Sequence, residues 1–182
     1  MNCNEYYNVR SEFKDGDIVL YRGNGFMSKS IQYFDDAFYN HIGIVKWIGN
    51  RLFTIDMWTQ GIEIVPLSRR IKTYNYFCII RFKDKSVDFI DKAIDSVFEK
   101  VERDTKYDYF LLPRVAFLKK TGIDLVGMGK KNRFICSELC QYFSDNLEID
   151  CYKNINLITP QDFIRKKDDK EVEVLFDLSP QI

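Results

Sequence analysis

The chain has 182 residues, with 27 lysines and arginines against 27 aspartates and glutamates, and a single histidine. That length favours one domain with its own core. The balanced charge excludes bulk nucleic-acid binding, which needs a basic surface to release counterions. The five cysteines are odd in number and irregular in spacing, a poor disulfide framework. The N-terminal stretch is too polar for a signal peptide, and no apolar run reaches the length of a membrane-spanning helix. The sequence therefore predicts a soluble, cytoplasmic protein with reduced thiols.

Taken in chain order, residues 1–13 read as a loose leader, and 14–182 as one domain. GDIVLYRG (16–23) is a short strand. FMSKSIQYFDDAF (26–38) places Ile31, Phe34 and Phe38 at helical spacing. HIGIVKWI (41–48) and LFTIDMW (52–58) are strands joined by a Gly49-Asn50 turn. IEIVPL (62–67) and YFCIIRF (76–82) extend them into an antiparallel meander. Residues 86–103 carry an apolar stripe from Val87 to Val101 and predict a helix. Residues 106–133 mix apolar patches with Pro113, glycines and basic residues, and read as a partly helical insertion. FICSELCQYFSDNL (134–147) is an amphipathic helix, and Thr159-Pro160 is a helix start. The tail after Lys166 is charged and ends in VEVLF. The fold class is α+β, with the Cys136 helix packed across an antiparallel sheet.

Two residues carry the chemistry. Cys136 opens a helix, where free N–H groups and the positive dipole end favour a thiolate. The same N–H groups, near Ser137, can donate to an oxyanion. His41 is the one histidine, so it is the base for any Cys–His pair. Pairing across the Gly49-Asn50 turn puts His41 opposite Trp58, with Thr54, Asp56 and Trp58 on its face. Asp56 is the diagonal carboxylate and the choice for the acid that orients the imidazole. Glu63, one strand further on, is the fallback. Asp17 and Tyr21 on the opening strand are candidates for lining the cleft. Cys136 and Cys140 share a helix face, but one histidine and scattered cysteines do not make a zinc site. No metal or organic cofactor is expected.

These residues resemble a known family. GDIVLYRG, then NHIGIV, then TID, then a late FICSELC is similar to the permuted NlpC-like papain-fold amidases, the YiiX-like group above all. These in turn are similar to the lecithin retinol acyltransferase-like proteins. The match covers roughly 14–165 and includes YDY (107–109) and TPQDF (159–163). The resemblance implies a circularly permuted papain-like fold and a Cys136–His41–polar triad. It also implies acyl transfer through a thioester on a peptide-type amide or a lipid acyl group. The alternative on the same fold is a catalytically silent binding module. A membrane-surface module would use Lys119, Lys120, Lys130, Lys131 and Arg133 as a basic rim.

Overall fold

The computed structural model describes residues 3–23, 36–74, 76–103, 105–108, 111–124, 133–153, 155 and 157–178. Most of the helix expected over 26–38 lies outside these residues, and 36–38 are turn and coil.

Six antiparallel strands form the central sheet. They are β1 (Ile18–Tyr21), β2 (His41–Ile48), β3 (Arg51–Trp58), β4 (Gly61–Pro66), β5 (Phe77–Phe82) and β8 (Val172–Asp177). Their order is β4-β3-β2-β1-β5-β8, so β5 pairs with β1 instead of continuing the meander beyond β4. The apolar tail VEVLF is the edge strand β8, held against β5. The Gly49-Asn50 turn sets the β2–β3 register. Gly49 takes a φ of +57°, open to glycine without strain. Ile48 then faces Arg51, and Gly43 faces Asp56.

The strands alternate their side chains between two cores. On one face Ile18, Leu20, Ile42, Ile44, Ile55 and Met57 pack against two helices. One is α3 (Val87–Glu102), started by the Ser86 side chain, which accepts from the Phe89 N–H at 3.3 Å. The other is α5 (Cys136–Asn146), which buries Leu139, Cys140 and Phe143. On the other face Val19, Tyr21, Val45 and Phe77 pack against α2 (Leu67–Thr73) and the N-terminal segment. That segment is not a loose leader. It forms α1 (Cys3–Val9) and a 3-10 turn, and it buries Tyr6 and Phe13. The two buried rings dock the segment on the sheet, each burial stabilising by roughly 2 kcal/mol.

The insertion is tied at its base. A short parallel pair, β6 (Lys106–Tyr107) with β7 (Arg133–Phe134), brings its two ends together just ahead of Cys136. Between them runs α4 (Leu111–Thr121), which buries Leu111 and Val115. No helix among the described residues is long and apolar enough to cross a membrane.

Candidate active site

The site forms where the first residue of β2 meets the first residue of α5. His41 is 8% exposed and Cys136 is 3% exposed. His41 Nε2 donates to Asp56 Oδ2 at 3.2 Å. The Cys136 thiol lies against the same imidazole and interacts with it by charge and by hydrogen bonding. With Nε2 occupied by Asp56, Nδ1 is the nitrogen left for sulfur. Burial pushes the imidazole pKa down. The charge of Cys136, the bond to Asp56 and the bond to Cys136 outweigh it, and the result is raised to about 9. The raised pKa favours the imidazolium form beside a sulfur at a helix N-terminus.

Gly43 is what lets Asp56 reach. Asp56 sits directly across from Gly43 and must lean over it to meet His41 two residues away. A Cβ at position 43 would stand 2.4 Å from Thr54 Oγ1 and 2.9 Å from Asp56 Cβ. The spacing His-x-Gly thus has a steric cause. Asn40 fixes the entry to the strand. Its side chain accepts from Gly23 N–H at 2.8 Å and donates to Gly23 carbonyl oxygen at 3.0 Å. Gln161, on α6 (Pro160–Arg165), accepts from the N–H groups of Phe38 and Tyr39 at 3.0 and 3.1 Å. Both devices hold the chain immediately ahead of His41. The α6 start is itself fixed by Asp162, which accepts from Thr159 N–H at 2.9 Å.

Aromatic groups wall the row. The Trp58 ring centroid is 4.4 Å from that of His41, and the Tyr21 ring is 6.0 Å away on the neighbouring strand. Burial first and Asp56 second push the Tyr21 hydroxyl well above its ordinary range, so it stays neutral. Thr54 beside it pulls the other way without reversing the shift.

Not every sequence candidate lies here. Asp17 is at the far end of β1, where its carbonyl accepts from Val45 N–H, and Arg81 holds its carboxylate with two bonds of 2.7 Å. Tyr21 lies four residues further on, at the opposite end of the strand, so both cannot line one cleft. Asp17 instead borders a cleft of about 700 Å³ at the Trp47 end of β2, to which neither Cys136 nor His41 contributes. The Ser137 side chain is turned into the core and donates to Ile158 carbonyl oxygen at 2.6 Å, leaving only its backbone near the sulfur. Glu63 does not bond His41. It accepts from Arg70 at 2.9 Å. Lys119 is engaged with Asp162 at 2.9 Å and is no free part of a basic rim. Lys130 and Lys131 lie outside the described residues.

Arg70 is the residue that sequence reading passed over. It belongs to the seven-residue helix α2, too short to show apolar periodicity. Its Nε donates to Asp56 Oδ2 at 3.1 Å and its Nη2 to Oδ1 at 3.0 Å. The only local signal was the Arg69-Arg70 pair after Pro66, where a proline can open a helix. Glu138, two residues after Cys136, accepts from Ile135 N–H at 3.1 Å. Burial first, and then Asp108, raise its carboxyl to about 7, against the pull of Ile135 and Arg114.

Fold and site together define an α+β protein in which a thiol, an imidazole and a carboxylate line up at one end of a six-stranded antiparallel sheet. No protein-family model matches the chain, and no curated protein matches it. Among solved structures it is similar to the crystal structure of the metalloprotein YiiX from Escherichia coli O157:H7. The TM-score is 0.61 at 16% identity, over 92% of this chain and 98% of that one. At that identity the likeness shows a YiiX-like fold.

The metal in that description can be tested against the donors present. Among the described residues, Cys151, Asp169 and Glu171 bring three donor atoms within 4.8 Å of one another. Glu171 already accepts the Asp150 and Cys151 N–H groups at 2.9 and 3.0 Å, and Asp169 accepts that of Glu171 at 2.9 Å. Burial, then Asp169 and Glu171, push the Cys151 thiol up to about 12. These groups cap backbone and do not fit a four-donor site. Asp56 has both oxygens taken by His41 and Arg70, so the His41 row is no ligand set either.

Proposed function

We propose that this protein is a cysteine hydrolase or acyltransferase of the permuted papain-like, NlpC-like kind, with Cys136 as nucleophile, His41 as base and Asp56 as the acid that orients the ring. The observation that carries this reading is the row Cys136–His41–Asp56, with the sulfur at the first residue of a helix and the imidazole buried between a thiol and a carboxylate. The chain order, His41 strand before Cys136 helix, supports the permuted arrangement.

In the reaction the sulfur attacks an amide or ester carbonyl, and backbone N–H groups at the start of α5 hold the oxyanion. The C–N or C–O bond breaks as His41 gives its proton to the leaving amine or alcohol. Water or another acceptor then attacks the thioester, His41 takes the proton, and the thiolate departs. Asp56 keeps Nε2–H as the donor it bonds, so Nδ1 faces the sulfur throughout. The substrate is a peptide-type amide or a lipid acyl group.

The test is intact-mass trapping of an acyl-enzyme, using a panel of activated peptide amides and acyl-glycerol esters. The reading requires an adduct on Cys136 that disappears in Cys136→Ala and is much reduced in His41→Ala. An adduct on another cysteine, or none with any acyl donor, would sink it.

A further inference from the structure

Asp56 is fully buried and carries more bonds than an orienting acid needs. Its Oδ2 accepts from both His41 Nε2 and Arg70 Nε, and its Oδ1 accepts from Arg70 Nη2. The paired, planar guanidinium geometry is one that lysine cannot reproduce. Arg70 is itself held from three sides. Glu63 on β4 takes Nη2 at 2.9 Å, the Trp58 ring lies 4.6 Å below the guanidinium, and that same ring covers His41. We infer that Arg70 is a positioning residue, which keeps Asp56 charged and aimed at His41 while the imidazole loses and regains its proton.

The argument is one of charge balance through the cycle, and it rests on the Cys–His reading above. In the resting site the imidazolium offsets Asp56. Once His41 has given its proton to the leaving group, a buried carboxylate facing a neutral imidazole would have no cation except Arg70. The other groups facing Asp56 cannot take that place. Tyr21 on β1, Tyr74 after α2, Glu63 on β4 and the thiols Cys136 and Cys140 on α5 are all neutral or anionic. Without Arg70, Asp56 keeps one of its three bonds and is no longer held on Nε2–H. The ring would then be free to turn and present the wrong nitrogen.

The test follows the iodoacetamide alkylation rate of Cys136 against pH, together with the NMR titration of the one histidine. Both are measured in the unsubstituted protein, Arg70→Met, Arg70→Lys, Asp56→Asn and the Asp56→Asn/Arg70→Met double variant. Arg70→Met is expected to slow alkylation about tenfold near pH 6 and to leave it within about twofold near pH 9, because a sulfur that loses a well-aimed imidazolium partner holds less thiolate at low pH, about tenfold for each pH unit, and ionises unaided at high pH. Arg70→Lys recovers part of the low-pH rate, since it restores charge without the fork. In the Asp56→Asn background, adding Arg70→Met changes the rate by less than about twofold, because the two residues act through one bond network. A fall that is uniform across pH, or effects of the two substitutions that simply multiply, overturns the proposal and leaves Arg70 a structural ion pair. The histidine titration keeps this result separate from the fate of the enzyme reading. If Cys136 of the unsubstituted protein shows no His41-dependent reactivity, that reading fails. A histidine titration that Arg70→Met leaves within about 0.3 of a pH unit overturns the Arg70 proposal on its own.

Discussion

Among the described residues two buried aspartates, Asp17 and Asp56, are each held by an arginine, and their surroundings differ. Asp17 is 1% exposed and is held by Arg81 through two bonds of 2.7 Å; Asp56 is 0% exposed and is held by Arg70 at 3.0 and 3.1 Å. Seen as isolated pairs they are the same device. They differ in what the leftover bonds reach. Asp17 also accepts the Lys14 N–H at 2.7 Å, and Arg81 donates to Glu12 carbonyl oxygen at 2.8 Å, so that pair ties the N-terminal segment to β5. Asp56 spends its spare lone pair on His41, which touches a thiol. A buried carboxylate marks a structural tie in one place and a thiol–imidazole contact in the other. The neighbour one bond further on decides which.

The comparison breaks if the two pairs respond alike. Cys136→Ala should give the largest effect, complete loss of acyl-adduct formation, read by intact mass. Asp17→Ala leaves Arg81 without its buried partner. It should cost about 3–5 kcal/mol of stability by denaturant unfolding, with the alkylation rate of Cys136 unchanged. Should Asp17→Ala lower that rate as much as Asp56→Asn does, the division between the two pairs is wrong. The His41 titration sharpens the same point. Its folded pKa of about 9 lies above the ordinary ~6.5, so its contribution is fully present below about pH 6.5 and is lost as pH rises through 9. The whole loss is at most about 3 kcal/mol. Cys136→Ser removes the largest raising influence, and the single histidine resonance should then titrate well below 9. Gly43→Ala should cost about 1–3 kcal/mol through overpacking and slow Cys136 alkylation by displacing Asp56. Asn40→Ala, which removes two hydrogen bonds to Gly23, should have the smallest effect, about 1–2 kcal/mol in thermal or denaturant unfolding.

Much of the row was legible in the sequence because it is local. A two-residue turn fixes the β2–β3 register, and that register puts Asp56 diagonal to His41 without any long-range information. Cys136 at a helix start follows from the apolar spacing of Leu139, Cys140 and Phe143. The rest depends on contacts that no periodicity encodes. Asp17 shares a strand with Tyr21, but only the paired structure says that the strand is long enough to separate them. Glu63 was placed near His41, yet the arginine between them rides on a helix of seven residues. Tyr6 and Phe13 sit in a polar stretch whose order comes from the sheet it covers. The strand β8 was read as a tail, because its partner β5 lies some ninety residues earlier.

Gln161 has a consequence for how the protein comes into being. Two of the N–H groups that hold the approach to His41 are satisfied by a side chain more than 120 residues further along the chain. Domains emerge from the ribosome N-terminus first, at about 5–20 residues per second. His41, Asp56 and Arg70 are therefore made several seconds before Cys136 and Gln161. A nascent or prematurely released chain carries His41 and its supports but neither Cys136 nor the Gln161 clamp. The Cys136–His41 contact forms only as the last elements dock.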